Sequence, residues 1–280
     1  MIPWFQYNVI KLGPISIQVW GLWVALGMIL AIGIILVRAK RLGLDANALI
    51  DQALWMIVGG LIGARLFHIV FYEPAFYLQY PLEIIKVWHG GLSSFGGLIG
   101  AIIGFFSYQH KLSLRGASNE RRGNLQWYKR LLHFVRNDRQ VFLQKADLFS
   151  FAATFGWIVG RVGCFMIHDH LGVHSNCPLA IQTIDGPRLD MALIEIIALV
   201  PLAIFFLIHK NRKPGDGFFT YVLFIYYGII RFVLDFWRAG DIINPDVRYL
   251  GLTPAQYFAI LLVIIGGYWF VKKNKNSIKM

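Results

Sequence analysis

Charge is scarce in this chain of 280 residues: charged side chains make up 15% of it, against 57% hydrophobic. That balance excludes an ordinary soluble domain and excludes intrinsic disorder, both of which need far more polar surface. Acidic residues are the scarcer sign, 15 against 27 basic ones, for a net charge of +12. Cysteine is nearly missing. Two residues, Cys164 and Cys177, cannot build a disulfide framework, and with no CxxC pair there is no redox or zinc-ribbon motif; a single bridge between them stays open. No internal repeat or low-complexity tract is present, which argues against the repeat-built transporters. The first residues, MIPWFQYNVIKL, lack a basic leader region and a small-residue cleavage site, so they do not read as a removable signal peptide. Trp4, Phe5 and Tyr7 have instead the amphipathic character of an interfacial anchor.

What the chain has is long uncharged apolar runs. A helix crosses about 30 Å of hydrocarbon with roughly 20 residues at 1.5 Å each, and Ile15 to Val37 exceeds that without a charge. Reading such runs between charges predicts spans near 15–37, 52–72, 88–108, 148–167, 190–208, 217–237 and 252–271. The expected fold is therefore all-α, one polytopic membrane domain over 1–280 with about seven transmembrane helices. Lys and Arg orient it. Arg38 to Arg41 hold 3 of them, Lys111 to Lys145 hold 9, Lys210 to Lys213 hold 3 and Lys272 to Lys279 hold 4. All four groups fall on one side of a seven-span arrangement, which puts the C-terminus in the cytoplasm and the N-terminus outside. The basic stretch at about 109–146 is the one long insertion, read as a cytoplasmic amphipathic segment on an anionic leaflet. The excess of basic residues accordingly predicts contact with membrane lipids and no nucleic acid.

Charges inside the spans cost at least about 2.5 to 3.5 kcal/mol each near the bilayer centre, so those retained ask for a reason. Arg65, Arg161, Glu195, Arg231 and Asp235 are the ones to explain. Arg65 follows Asp51 by 14 residues, Arg161 follows Asp147 by 14, and Arg231 follows Asp216 by 15. Each then lies about 21 to 22 Å from the inner boundary. Glu195 enters from the other side, 5 residues after Asp190, and reaches the same level, with His89 slightly above. One reading pairs these groups as salt bridges between helices, Arg65 or Arg161 with Glu195 and Arg231 with Asp235. A second holds an anion: three arginines face two carboxylates, and a guanidinium fork suits a phosphate.

The glycine-rich stretches GGLIGAR (Gly59 to Arg65) and HGGLSSFGGLIG (His89 to Gly100) fit either close helix packing or an irregular backbone lining a polar cavity. GRVGCFMIHDHLGVHS (Gly160 to Ser175) sets Gly160 and Gly163 around Arg161 and then brings Cys164, His168, Asp169 and His170 to the outer surface. These are metal-ligand residue types, but the spacing matches no standard metal motif, and no metal is expected. Proton transfer, with Asp169 orienting a neighbouring imidazole, and a plain solvent-facing loop are the two competing uses.

These residues resemble the prolipoprotein diacylglyceryl transferases, seven-span enzymes of the bacterial inner membrane. The resemblance runs along most of the chain outside 109–146. It rests on WGLWVALG (Trp20 to Gly27), IGARLFHIVFY (Ile62 to Tyr72), VWHGGLSSFGGLIG (Val87 to Gly100), GRVGCF with Gly172, and YGIIRFVLDFWR (Tyr227 to Arg238). It implies transfer of a diacylglyceryl group from phosphatidylglycerol to the cysteine thiol of a lipoprotein precursor bearing a lipobox, with release of glycerol phosphate and without a cofactor. It further implies that Arg161 binds phosphatidylglycerol, that Arg231 is a second essential arginine, and that Asp235 and Arg238 are its acidic and basic companions. Arg65, Gly160, Gly163 and Glu195 join the expected binding residues. The chain departs from the family at Phe95, where a histidine is usual, at Cys164 for asparagine and at Trp20 for tyrosine. The block before the fifth span keeps only Glu195. A catalytic base then has to come from His89, His168 or His170, beside Arg231. The alternatives are a non-catalytic phospholipid-binding or transport protein on the same scaffold, a related lipid transferase with a different acceptor, and a metal-dependent enzyme built on Cys164, His168 and His170.

Overall fold

A computed structural model describes residues 1–13, 15–86, 91–120, 127–212, 217–242 and 248–277, with side chains described except at 15, 94–95, 110–139 and 273–277. Among the described residues, six helical stretches are long and apolar enough to cross a membrane: Val19–Leu42, Ala46–Phe71, Gln140–Ile167, Met191–Ile208, Phe218–Trp237 and Pro254–Lys272. The chain is a multi-pass membrane protein. The span expected at 88–108 overlaps a helix over Ser94–Glu120 whose described apolar part is Gly96–Gln109; His89 lies outside the described residues.

Two compact units make up the chain, one of Met1–Arg38 with Asp138–Met280 and one of Ala39–Asn137. The smaller unit holds α2 (Ala46–Phe71), α3 (Pro74–Gln79), a 3₁₀ turn at Pro81–Ile85 and α4 (Ser94–Glu120). Asp45 caps α2, its side chain accepting from the backbone N–H groups of Asn47 and Ala48, which satisfies donors the first turn leaves unpaired. The two glycine-rich stretches serve packing. A Cβ on Gly63 of α2 would stand 2.8 Å from the Cα of Gly100 in α4, and one on Gly59 would stand 3.3 Å from the Cα of Gly104. Only bare backbone lets the helices approach so closely. After α2, Arg65 ties down the segment that follows: Nε donates to the carbonyl of Ile84 at 2.9 Å, Nη1 to that of Gly91 at 3.0 Å, and Nη2 to those of Lys86 and Glu83.

The larger unit opens with a hairpin of β1 (Val9–Leu12) and β2 (Ile15–Gln18), in which Val9 pairs with Gln18 and Leu12 with Ile15. The first span thus starts at Val19, four residues later than the apolar run suggests, because Gly13 at φ +62° lets the chain turn back on itself. From α1 (Val19–Leu42) this unit takes the part up to Arg38, and from α5 (Trp127–Ile167) the part from Asp138. Three strands follow, β3 (Leu171–His174), β4 (Ala180–Thr183) and β5 (Gly186–Asp190), in antiparallel order β3-β5-β4. Then come α6 (Met191–Ile208), α7 (Phe218–Leu234) and α8 (Pro254–Ser277). The insertion expected at 109–146 is largely helical backbone, the ends of α4 and α5.

Side chains on neighbouring elements lock the ends of these helices. Asp190 caps α6 by accepting from Leu193 N–H at 2.9 Å. Asp147 of α5 caps α7, accepting from the N–H groups of Gly217 at 3.0 Å and Thr220 at 3.1 Å. Thr253 and Gln256 form a reciprocal capping box at the start of α8, at 2.9 and 3.2 Å. Toward one end of α5, α6 and α7 the core is aromatic: Phe151 stacks on Phe206 with centroids 5.8 Å apart and meets Phe219 edge-on at 5.2 Å. Fixed caps and interlocked rings leave these three helices little freedom to slide, so side chains one or two turns away are held in register.

Packing through glycine predicts a contrast. Gly63→Ala in the full chain should lower the thermal unfolding midpoint in detergent, at a cost of about 1–3 kcal/mol from overpacking. Gly160→Ala, where an added Cβ meets nothing within 4 Å, should stay within about 0.5 kcal/mol of the parent.

Candidate functional site

The larger unit places three of its helices around one buried carboxylate. Glu195, one turn into α6, is 2% exposed. Its Oε2 lies 2.9 Å from Arg161 Nη2 on α5 and accepts from Arg231 Nη1 on α7 at 3.2 Å. Its Oε1 accepts from Trp157 Nε1 at 2.9 Å and from the Tyr227 hydroxyl at 3.2 Å. Four donors therefore converge on a single carboxylate, and two positive charges share it. Trp157 precedes Arg161 by one helical turn, as Tyr227 precedes Arg231, so each helix presents an aromatic donor and an arginine on one face. That repeated i, i+4 pairing is the sequence signal by which Trp157 and Tyr227 could have been found.

A second carboxylate extends the cluster. Asp235, at the C-terminal end of α7 and 1% exposed, lies 3.0 Å from Arg231 Nη2 and 3.8 Å from Arg238 Nη1. Its other oxygen accepts from the Thr253 hydroxyl, which binds Asp235 to the capping box of α8. Three guanidinium groups thus meet two buried carboxylates, and Asp169 lies in the field of Arg161 and Arg238. The third arginine is Arg238. Arg65, which the sequence placed at the same level, belongs to the smaller unit and binds the carbonyls there.

Arg161 carries a further demand: its Nε is buried and has no hydrogen-bond partner among the described residues. Its Nη1 points to the Cys164 sulfur at 3.8 Å. Gly160 and Gly163, on either side, do different things. A Cβ on Gly163 would come within 3.1 Å of the Trp20 Cα, so this glycine admits α1, whereas the space at Gly160 is open. Trp20 also hydrogen-bonds the Cys164 side chain.

The histidines separate. His168 is fully buried, its Nδ1 2.8 Å from Asp190 Oδ2, and its ring is surrounded by Trp4, Phe5 and Phe165 at 4.9, 4.6 and 5.5 Å. It braces the N-terminal segment against the cap of α6. His170 faces the arginines instead: Arg238 Nη2 lies 3.0 Å from its Nδ1, and its Nε2 lies 3.6 Å from Asp169 Oδ2. Burial, with Arg238, Arg161 and Arg231 nearby, pushes its pKa well below the usual imidazole value. The ring is neutral at pH 7. Since Arg238 can only donate, Nδ1 accepts and the proton sits on Nε2, facing Asp169. Partial burial raises Asp169 to about 6 although Arg161 and Arg238 pull it down.

Ligand atoms of Cys164, Asp169 and His170 lie within 4.8 Å of one another, so these residues sit close enough to suggest a metal centre. The donor set does not favour one: Nδ1 is already bonded to a guanidinium, and the positive charges of Arg161 and Arg238 oppose a cation. Farther out, Arg188 of β5 holds Asp241 through two bonds of 2.9 and 2.8 Å and reaches the Gly172 carbonyl at 3.3 Å. That latch joins the sheet to the chain beyond α7. Nothing in the sequence marked Arg188, because its partner Asp241 is 53 residues away.

Comparison with known proteins places this arrangement. A family profile described as Prolipoprotein diacylglyceryl transferase matches residues 7–117 and 125–272. A protein of Finegoldia magna named phosphatidylglycerol--prolipoprotein diacylglyceryl transferase is 29% identical over 269 residues, covering 95% of this chain and 94% of its own. Proteins of the same name from Staphylococcus xylosus and Nitrosomonas europaea are each 28% identical, over 91% and 94% of this chain and 85% and 88% of their own.

Removing the shared carboxylate leaves two buried guanidinium groups facing each other. Glu195→Ala should therefore cost about 3–5 kcal/mol of stability. Tyr227→Phe, which deletes one of four donors to Glu195, should cost about 1.5–3 kcal/mol. Thermal or denaturant unfolding in detergent checks the order, and equal losses would contradict the shared-carboxylate account.

Proposed function

The chain belongs to the prolipoprotein diacylglyceryl transferase family, and on that premise we propose that it moves a diacylglyceryl group from phosphatidylglycerol to the cysteine thiol of a lipoprotein precursor, with Arg161 and Arg231 holding the lipid phosphate. The observation that carries the assignment of these two residues is their attachment to one carboxylate, Glu195 Oε2, at 2.9 and 3.2 Å. A carboxylate between two arginines holds both forks on one acceptor and offsets part of their repulsion. An incoming phosphate diester supplies an acceptor for the Nε of Arg161, which has no hydrogen-bond partner among the described residues.

The reaction needs the arginines' charge most when the bond breaks. As the thiolate attacks the glyceryl carbon, the electron pair of the carbon–oxygen bond passes to the departing glycerol phosphate, and its charge rises from one toward two. Guanidinium groups already fixed by Glu195 and Asp235 stabilise that growing charge without rearranging. Glu195 and Asp235 themselves, 2% and 1% exposed, position the arginines and stay away from the lipid. Arg238 orients His170. Gly160 leaves open space beside Arg161. Arg65 binds the carbonyls of Glu83, Ile84, Lys86 and Gly91. The substrates have opposite demands, one lipid and one membrane-tethered peptide with a lipobox cysteine, and both reach a protein of the bacterial inner membrane through the bilayer. The same reading puts the C-terminus in the cytoplasm, the basic 109–146 segment on anionic membrane lipids, and the cluster toward the outer face.

Purified protein in vesicles of phosphatidylglycerol should transfer labelled diacylglyceryl to a lipobox peptide and release glycerol phosphate. Arg161→Ala should abolish transfer, and Arg161→Lys should retain little, since a lysine cannot reproduce the fork that binds Glu195 and phosphate together. Bound lipid with no release of glycerol phosphate from the unsubstituted protein would instead support a non-catalytic lipid-binding role.

A further inference from the structure

The transferase reading requires a group that takes the proton from the acceptor thiol, and of the described residues near the arginines neither His168 nor His170 offers one. A thiol attacks as thiolate, so the acceptor of its proton must be reachable by an incoming peptide, free of a saturating partner and close to the phosphate-binding arginines. His168 is sealed, its side chain without exposed surface and its Nδ1 bound to Asp190. His170 lies in the right place but offers no lone pair. Its Nδ1 accepts from Arg238, and its Nε2 carries the proton toward Asp169. Among the carboxylates, Glu195 and Asp235 are buried and bound to arginines, and Asp190 is buried as the cap of α6.

Asp169 differs from all of these. Its side chain is 35% exposed, and it follows directly from the α5 turn that carries Arg161 and Cys164. It lies within the field of both Arg161 and Arg238. The geometry points to Asp169 as the catalytic base of this chain, oriented by His170 and Arg238, in the position of proton acceptor for the substrate cysteine. This rests on the transferase reading above.

The step balances as written. The Asp169 carboxylate takes the S–H proton of the acceptor cysteine, and the thiolate forms the carbon–sulfur bond at the glyceryl carbon. The carbon–oxygen bond to phosphate breaks, its electron pair leaving with glycerol phosphate, and the proton passes from Asp169 to that phosphate or to water. Neighbouring groups make the carboxyl suited to this. Burial and Asp190 raise it, Arg161 and Arg238 lower it, and the balance near 6 leaves it ionised but basic at neutral pH. His170, neutral throughout, turns its Nε2 hydrogen toward the carboxylate, 3.6 Å away, without competing for the proton.

The test compares the unsubstituted protein with Asp169→Asn, a change that keeps shape and removes the base. Both are reconstituted in phosphatidylglycerol vesicles and given a lipobox peptide carrying either cysteine or selenocysteine. With cysteine, Asp169→Asn should lose about 10² to 10⁴-fold in transfer rate. Its affinity for phosphatidylglycerol should stay within about threefold, and the fall in rate below pH about 6 expected of the parent should vanish from what remains. With selenocysteine, already ionised at neutral pH, most of the lost rate should return. Parent-like transfer to cysteine by Asp169→Asn would overturn the assignment and leave the transferase reading standing. Equal loss on both peptides would also overturn it, since a structural role is blind to the acceptor's ionisation. No transfer by the unsubstituted protein would overturn both.

Discussion

One carboxylate shared by two arginines is the constraint on which the rest of this structure depends. Glu195 is 2% exposed, and an unpaired charge buried there would cost several kcal/mol. Arg161 and Arg231 make it tolerable, and the indole of Trp157 and the hydroxyl of Tyr227 complete its hydrogen bonds. The arrangement works only if α5, α6 and α7 keep their relative heights. The caps supplied by Asp147 and Asp190 and the interlocked rings of Phe151, Phe206 and Phe219 enforce that. Structural residues far from the cluster thus set the spacing of two guanidinium groups.

The departures of this chain from its family gain meaning from their placement. Trp20 and Cys164, where the resemblance leads one to expect tyrosine and asparagine, hydrogen-bond each other beside Arg161. Two exchanges that looked independent in sequence are one local repacking, in which a larger indole meets a smaller side chain. The side chain of Phe95, in place of histidine, lies outside those described. The proton acceptor then has to be sought elsewhere, and Asp169 next to a neutral His170 supplies one within the same unit as the arginines.

Much of this was legible beforehand, for identifiable reasons. Charges are so costly inside spans that Arg161, Glu195, Arg231 and Asp235 stood out against the apolar background, and counting the helical rise put Arg65, Arg161, Arg231 and Glu195 at one expected depth. Depth says nothing of azimuth, however, and Arg65 at the same level turned out to serve the carbonyls of its own unit. The glycine motifs left packing and cavity readings equal; the contact of Gly63 with Gly100 needed coordinates to decide. Tyrosine and tryptophan inside spans read as apolar filler, which hid Tyr227 and Trp157 although each sits one turn before an arginine. The first span began late because a hairpin of apolar residues, Val9–Leu12 with Ile15–Gln18, is indistinguishable by composition from the start of a helix.

The central claim is that Arg161 and Arg231, held together by Glu195, grip the phosphate of one lipid. It is tested most directly by an experimental structure of the protein with phosphatidylglycerol bound. The account predicts phosphate oxygens within about 3 Å of both guanidinium groups, with Glu195 still between them. A headgroup bound elsewhere, with both arginines satisfied by carboxylates alone, would contradict it.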